Sequence, residues 1–154
     1  MYPESCIMCG EAQVITIRRE IVEEMEGHAR EEHPRECCGM LAGRENVITK
    51  LFKTKNIAKS IDEYELDPLE QVEAFEEIDR LSMKLLGVYH SHPHHPSYPS
   101  GLDIQHAFYP DTAFFIISLL DFNNPQLKAF KICEGGVVEE EIIYSPQSAQ
   151  RPRR

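Results

Sequence analysis

An apolar run ending in two histidines one residue apart constrains this chain more than anything else in it: Gly87-Val88-Tyr89-His90-Ser91-His92-Pro93. On an extended strand alternate side chains share a face, so His90 and His92 point the same way with Cα atoms ~6.5 Å apart. A proline-punctuated loop follows, and Asp103 arrives eleven residues after His92. Two imidazoles and one carboxylate are a recurrent ligand set for a catalytic zinc, with the fourth position left to water. The spacing H-x-H-x10-D therefore predicts a hydrolytic zinc centre, and the rest of the chain has to supply a base and a scaffold.

Five of the seven histidines fall between positions 90 and 106. Pro93, Pro96 and Pro99 stiffen the loop to Asp103, so the ligands come together with less chain entropy to lose. Ser100 to Asp103 also reads as a helix start, with Ser100 as the cap and Asp103 as the third residue. Capping alone would explain both residues; the histidines are what add a metal reading. His94 and His95 line the cleft or bind metal adventitiously, or have no role. His106 reads as an ordinary helix residue rather than a fourth ligand.

A length of 154 residues fits one domain, which buries about two-thirds of the surface its unfolded chain exposes. The composition, 42% apolar and 27% charged, is that of a soluble globular protein. A net charge of −10 argues against a general nucleic-acid binder or a basic membrane-surface protein. The longest apolar stretch, Ala113 to Leu120, suits a buried strand and falls far short of a ~20-residue membrane span. The N-terminus has no signal-like pattern. Five cysteines, two of them adjacent, fit no obvious disulfide framework, so a cytoplasmic location is expected.

Residues 1–13 read as a loose lead-in; their Cys6-x-x-Cys9 pair is too weak a motif to assign. Residues 17–33 read as a helix capped by Thr16 and ended by Pro34, with Ile17, Ile21, Val22, Met25 and Ala29 on one face. The run from Arg35 to Gly43 reads as a core strand, and Val47 to Phe52 as its hairpin partner. Glu36 sits where polar chain enters that strand. Cys37 and Cys38 read as small buried apolar residues, with a thiol nucleophile as the lesser alternative. Residues 56–64 are a polar connection. Asp67-Pro68-Leu69-Glu70 starts a helix expected to reach Leu85, with Ala74, Ile78, Leu81 and Leu85 inward and Val72 and Phe75 widening that face; Gly87 is expected to break it. A short helical piece spans Leu102 to Phe108, and strands follow at 114–120, 127–133 and 137–144. The order predicts a single-domain α/β (α+β) fold, a curved mixed β-sheet flanked by helices. The domain proper is expected over 14–144, with a flexible basic tail at 145–154.

Glu36, then His90-Ser91-His92-Pro93, then Ser100-x-x-Asp103 resembles the signature of the JAMM, or MPN-plus, zinc metalloprotease family: an upstream Glu, H-S/T-H-P and S-x-x-D. The resemblance spans roughly residues 14–144, and the Glu36-Cys-Cys-Gly segment is similar to the small prokaryotic members. It implies an architecture related to cytidine deaminases and one Zn2+ held by His90, His92 and Asp103. It also implies Glu36 as general base and Ser100 as oxyanion donor. Ser91, facing away from the ligands, is left a supporting role. The implied substrate is an amide or isopeptide bond after the Gly-Gly end of a ubiquitin-like or sulfur-carrier protein, sometimes with an amino-acid adduct as the leaving group. Nucleic-acid and membrane partners are not implied, and a homodimer is compatible with such a fold. The alternatives are a catalytically silent scaffold, against which all five residues are present, and a deaminase-like zinc enzyme. A deaminase would need H-x-E and P-C-x-x-C, which do not follow His90.

Overall fold

The structure, a computed structural model, describes residues 5–6, 9–107, 109, 111–134 and 136–146. The tail from 147 onward, and the helix end expected near Phe108 and Pro110, lie outside these residues. The elements are β1 (Ser5–Cys6), β2 (Gly10–Glu11), β3 (Val14–Arg18), α1 (Arg19–Glu32), β4 (Cys38–Arg44), β5 (Val47–Thr54), α2 (Pro68–Arg80), β6 (Lys84–His92), α3 (Gly101–Gln105), β7 (Ala113–Ser118), β8 (Gln126–Cys133) and β9 (Gly136–Ser145). The mixed sheet closes into a barrel in the order β3-β5-β4-β6-β7-β8-β9, with β9 pairing parallel to β3.

β6 lies between antiparallel β4 and parallel β7. Strands covered on both faces lose the polar alternation of a half-exposed sheet, and β7 (AFFIIS) is buried along its whole length. Alternation instead divides two cores. Cys37, Leu41, Tyr89, Phe115 and Ile117 face α1, joining Ile21, Val22, Met25 and Ala29. Cys38, Met40 and Val88 face the other way, with Leu66 and Ala74 of the α2 side. His90 and His92 share the parity of Val88, so they emerge on the α2 side at the end of β6. The strands approach closely here. A Cβ on Gly39 would overlap the Phe52 carbonyl and the Tyr89 ring, and one on Gly87 would come within 2.8 Å of the Phe115 ring.

Three sequence readings change. Val14-Ile15-Thr16-Ile17 is a strand, and α1 starts at Arg19 without a side-chain cap, so Thr16 is not the capping residue. Ile17 suits both a helical and an alternating pattern, and the pairing of β3 with β9 decides it. α2 stops at Arg80 rather than Leu85; Ser82 takes a positive φ of 53°, and Leu85 belongs to β6 opposite Ala42. Gly87 accordingly sits within β6 and does not break the helix. Val72 and Phe75 face solvent, leaving Ala74 and Ile78 as the buried positions of α2.

The predicted helix start at Asp67 holds: its carboxylate accepts from the amides of Leu69 and Glu70, with Pro68 in the first turn. Such a cap contributes about 1 kcal/mol. The β4–β5 hairpin turns through Glu45 and Asn46, both at positive φ, as a tight two-residue hairpin requires. Near the N-terminus β1 and β2 pair, and Cys9 is disulfide-bonded to Cys133 of β8, a partnership the cysteine spacing did not reveal.

Candidate metal centre

The register of β4 against β6 assembles the site. Cys38 pairs with His90. The pairing continues beyond β4, where the Cys37 amide donates to Ser91 Oγ at 2.8 Å and the Ser91 amide donates to the Cys37 carbonyl at 3.1 Å. One residue further along each segment, the Glu36 and His92 side chains come together. Ligand atoms of Glu36, His90 and His92 all lie within 4.8 Å of one another, and all three residues are buried.

Asp103 arrives from α3. Ser100 and Asp103 form a reciprocal capping box: Ser100 Oγ accepts from the Asp103 amide at 3.0 Å, and the Ser100 amide donates to Asp103 Oδ2 at 2.9 Å. The same Oδ2 lies 3.1 Å from His90 Nε2 and 3.1 Å from His92 Nε2, and the two nitrogens are 3.0 Å apart.

The donor chemistry of this triangle suits a cation. His92 Nδ1 lies 2.8 Å from the Pro96 carbonyl, which can only accept, so Nδ1 carries the proton. In the neutral ring Nε2 is then a lone pair facing a carboxylate oxygen and another imidazole nitrogen. Ligand atoms ~2.0–2.2 Å from a tetrahedral Zn2+ are spaced about 3.3 Å apart, close to the spacing found here. Without a cation, a proton is the alternative relief. Burial lowers the His92 pKa, but the hydrogen bonds to Asp103 and Pro96 outweigh it and leave it raised. Burial dominates for fully enclosed His90, whose pKa is lowered. Burial acts to raise Asp103, yet contacts with both histidines hold its carboxyl well below the usual range.

Glu36 differs from Asp103 in character. Burial pushes its carboxyl up to about 7, with His92 opposing and Asp103, Asp62 and Glu63 adding to the rise. Its Oε1 is buried without a hydrogen-bond partner among the described residues. A cavity of about 590 Å3 opens beside it, lined among others by Asp62, His92, His95, Tyr98 and Ser100. A carboxyl poised near neutrality at the wall of an open cleft can both accept and return a proton.

All five residues singled out in the sequence, Glu36, His90, His92, Ser100 and Asp103, therefore meet in one place. His95 lines the cleft, edge-on to His92, whereas His94 packs edge-on against His33. His106 follows α3 and lines a separate groove with Tyr64 and Tyr109. Cys37 and Cys38 are buried, and burial pushes both thiols up to about 12, which leaves no nucleophile there. Sequence reasoning missed Asn56, Asp62 and Tyr64, all in the polar connection before α2; no local pattern marks them.

Comparison with known proteins places the chain in a family. Residues 18–133 match the family described as prokaryotic homologs of the JAB domain. A Mycobacterium tuberculosis protein named CysO-cysteine peptidase is 33% identical over 135 residues, covering 86% of this chain and 92% of its own. A Thermus thermophilus protein, named probable TtuB-protein conjugate cleaving protease, is 32% identical over 131 residues, covering 84% of each. The solution structure of a Desulfitobacterium hafniense protein matches with a TM-score of 0.81 at 35% identity, covering 91% of this chain and 99% of that one.

Proposed function

This chain belongs to the prokaryotic JAB-domain family, and from that premise we propose that it is a zinc peptidase cleaving after the C-terminal Gly-Gly of a ubiquitin-like or sulfur-carrier protein. The bond is an amide or isopeptide. The observation that carries the reading is the convergence of His90 Nε2, His92 Nε2 and Asp103 Oδ2 beside a buried Glu36. The names of the mycobacterial and Thermus relatives support the substrate class.

His90, His92 and Asp103 would hold the zinc, which supplies Lewis acidity and brings the pKa of water near neutral. Glu36 takes the proton of the attacking water and passes it to the leaving amine, a task suited to a buried carboxyl within 4.8 Å of the His90 and His92 ligand atoms. The Ser100 hydroxyl keeps its own hydrogen while its oxygen caps α3, and that hydrogen is donated to the developing oxyanion. The His92 ring is held in one tautomer by Pro96, so its Nε2 stays a lone pair. An extended Gly-Gly tail would suit this chemistry, because glycine permits close backbone approach.

The test is incubation of the zinc-loaded protein with sulfur-carrier and ubiquitin fusions, followed by mass spectrometry. Cleavage directly after Gly-Gly is the expected result. Zinc bound at one per chain without cleavage of any such fusion would instead favour a silent scaffold.

A further inference from the structure

Two of the three converging side chains are fixed by hydrogen bonds. His92 is anchored through Nδ1 on the Pro96 carbonyl, and Asp103 through the Ser100 amide. His90 has no such anchor, since its Nδ1 is buried without a hydrogen-bond partner among the described residues. A ligand imidazole is ordinarily held by a hydrogen bond at its second nitrogen. Against the His90 ring lies Tyr64 instead, with centroids 4.2 Å apart and planes inclined by 17°.

We propose that Tyr64 is a positioning residue for His90, and that Asn56 holds Tyr64 in place. The inference rests on reading His90 as a metal ligand. Rotation of the imidazole about its Cβ–Cγ bond would turn the Nε2 lone pair away from the point it shares with His92 Nε2 and Asp103 Oδ2. A flat ring stacked at van der Waals distance opposes that rotation, because tilting the imidazole drives its edge into the phenol. The contact uses the ring face and makes no demand on the hydroxyl.

Asn56 explains why a loop residue can act as a rigid wall. Its amide nitrogen donates to the carbonyls of Glu36 at 2.9 Å and Glu63 at 3.0 Å. Its Oδ1 accepts from the amides of Ala58 at 2.9 Å and Glu65 at 3.0 Å. Two donor hydrogens and two lone pairs are thus all engaged, the full capacity of the side chain. Glu63 and Glu65 flank Tyr64, so the backbone is pinned on both sides of it. The remaining carbonyl belongs to Glu36, so one amide also fixes this loop relative to the proposed base. The Ile57 amide, donating to the Glu65 carbonyl at 2.9 Å, and the bridge between Asn56 and Leu66 close the loop.

The test measures Zn2+ affinity by competition with a chromophoric chelator, and the visible spectrum of the Co2+-loaded protein. It compares wild type, Tyr64→Phe, Tyr64→Leu and Asn56→Ala, each checked for folding by circular dichroism without metal. Tyr64→Phe should match wild type in affinity and spectrum. Tyr64→Leu should lose about 10–100-fold in affinity and alter the Co2+ bands, the effect expected when a metal ligand loses its support. Asn56→Ala should shift both readouts in the same direction. Should Tyr64→Leu fail to fold, Tyr64→Met keeps the bulk without the flat face and is read the same way. A folded Leu or Met variant with wild-type affinity and spectrum overturns the proposal, as does a Phe variant no better than Leu. Wild-type protein that binds neither ion overturns the ligand assignment beneath it, an outcome distinct from either.

Discussion

Cys37 and Ser91 exchange two hydrogen bonds, and this exchange sets the distance between the proposed base and the proposed ligands. Each residue adjoins site residues: Cys37 follows Glu36, and Ser91 lies between His90 and His92. Because side chains alternate, Ser91 faces away from the metal centre and is free to bind the neighbouring strand. Ser91→Ala should leave the buried Cys37 amide without its partner and lower unfolding free energy by about 1–3 kcal/mol. Chemical denaturation checks this, and unchanged stability would contradict it.

Gly39 should tolerate no side chain. An added Cβ would overlap the Phe52 carbonyl and the Tyr89 ring, and neither β5 backbone nor a fully buried ring can retreat cheaply. Gly39→Ala should cost at least about 1–3 kcal/mol through overpacking. A thermal midpoint equal to wild type would show that the strands can separate there.

The buried thiols should be inert. With burial pushing their pKa up to about 12, Cys37 and Cys38 stay in the thiol form at pH 8. Alkylation of native protein followed by peptide mapping should leave both unmodified until denaturant is added. Rapid native labelling of either would contradict their enclosure.

Acid stability should depend in part on His28, whose Nδ1 lies 2.8 Å from the Tyr89 hydroxyl in the α1 core. Burial holds its pKa below the ordinary 6.5, with Lys53 adding to the effect and Glu32 and Glu31 opposing it. Well above pH 6.5 the residue is neutral in both folded and unfolded chains and contributes no pH dependence. Below it the unfolded chain takes up the proton first, so stability falls as pH drops toward the folded-state pKa. His28→Gln removes that titration, and its melting temperature should fall less than wild type between pH 7.5 and 5.5. Equal slopes would contradict the assignment.

The features legible in the sequence were those set by local spacing. His90-x-His92 on a strand, the Asp67-Pro68 helix start and the hairpin turn at Glu45-Asn46 each follow from residues a few positions apart. β3 lacks such a local signal, because Ile17 fits two periodicities and only its parallel pairing with a strand more than 120 residues away distinguishes them. Barrel closure and the Cys9–Cys133 bond are non-local in the same way. The site divided along the same line. Its chemistry-bearing residues form a spaced motif, whereas Asn56 and Tyr64 act through a loop conformation and a stacking contact that exist only once the chain has folded.

The central claim is that Glu36 moves protons while His90, His92 and Asp103 hold the metal. Metal content and Gly-Gly fusion cleavage, measured together on wild type, Glu36→Gln and His92→Ala, test it most directly. Wild type and Glu36→Gln should each carry one zinc per chain, and His92→Ala should carry none. Glu36→Gln should cleave at least about 100-fold more slowly than wild type. A zinc-loaded Glu36→Gln protein that cleaves at the wild-type rate would contradict the account.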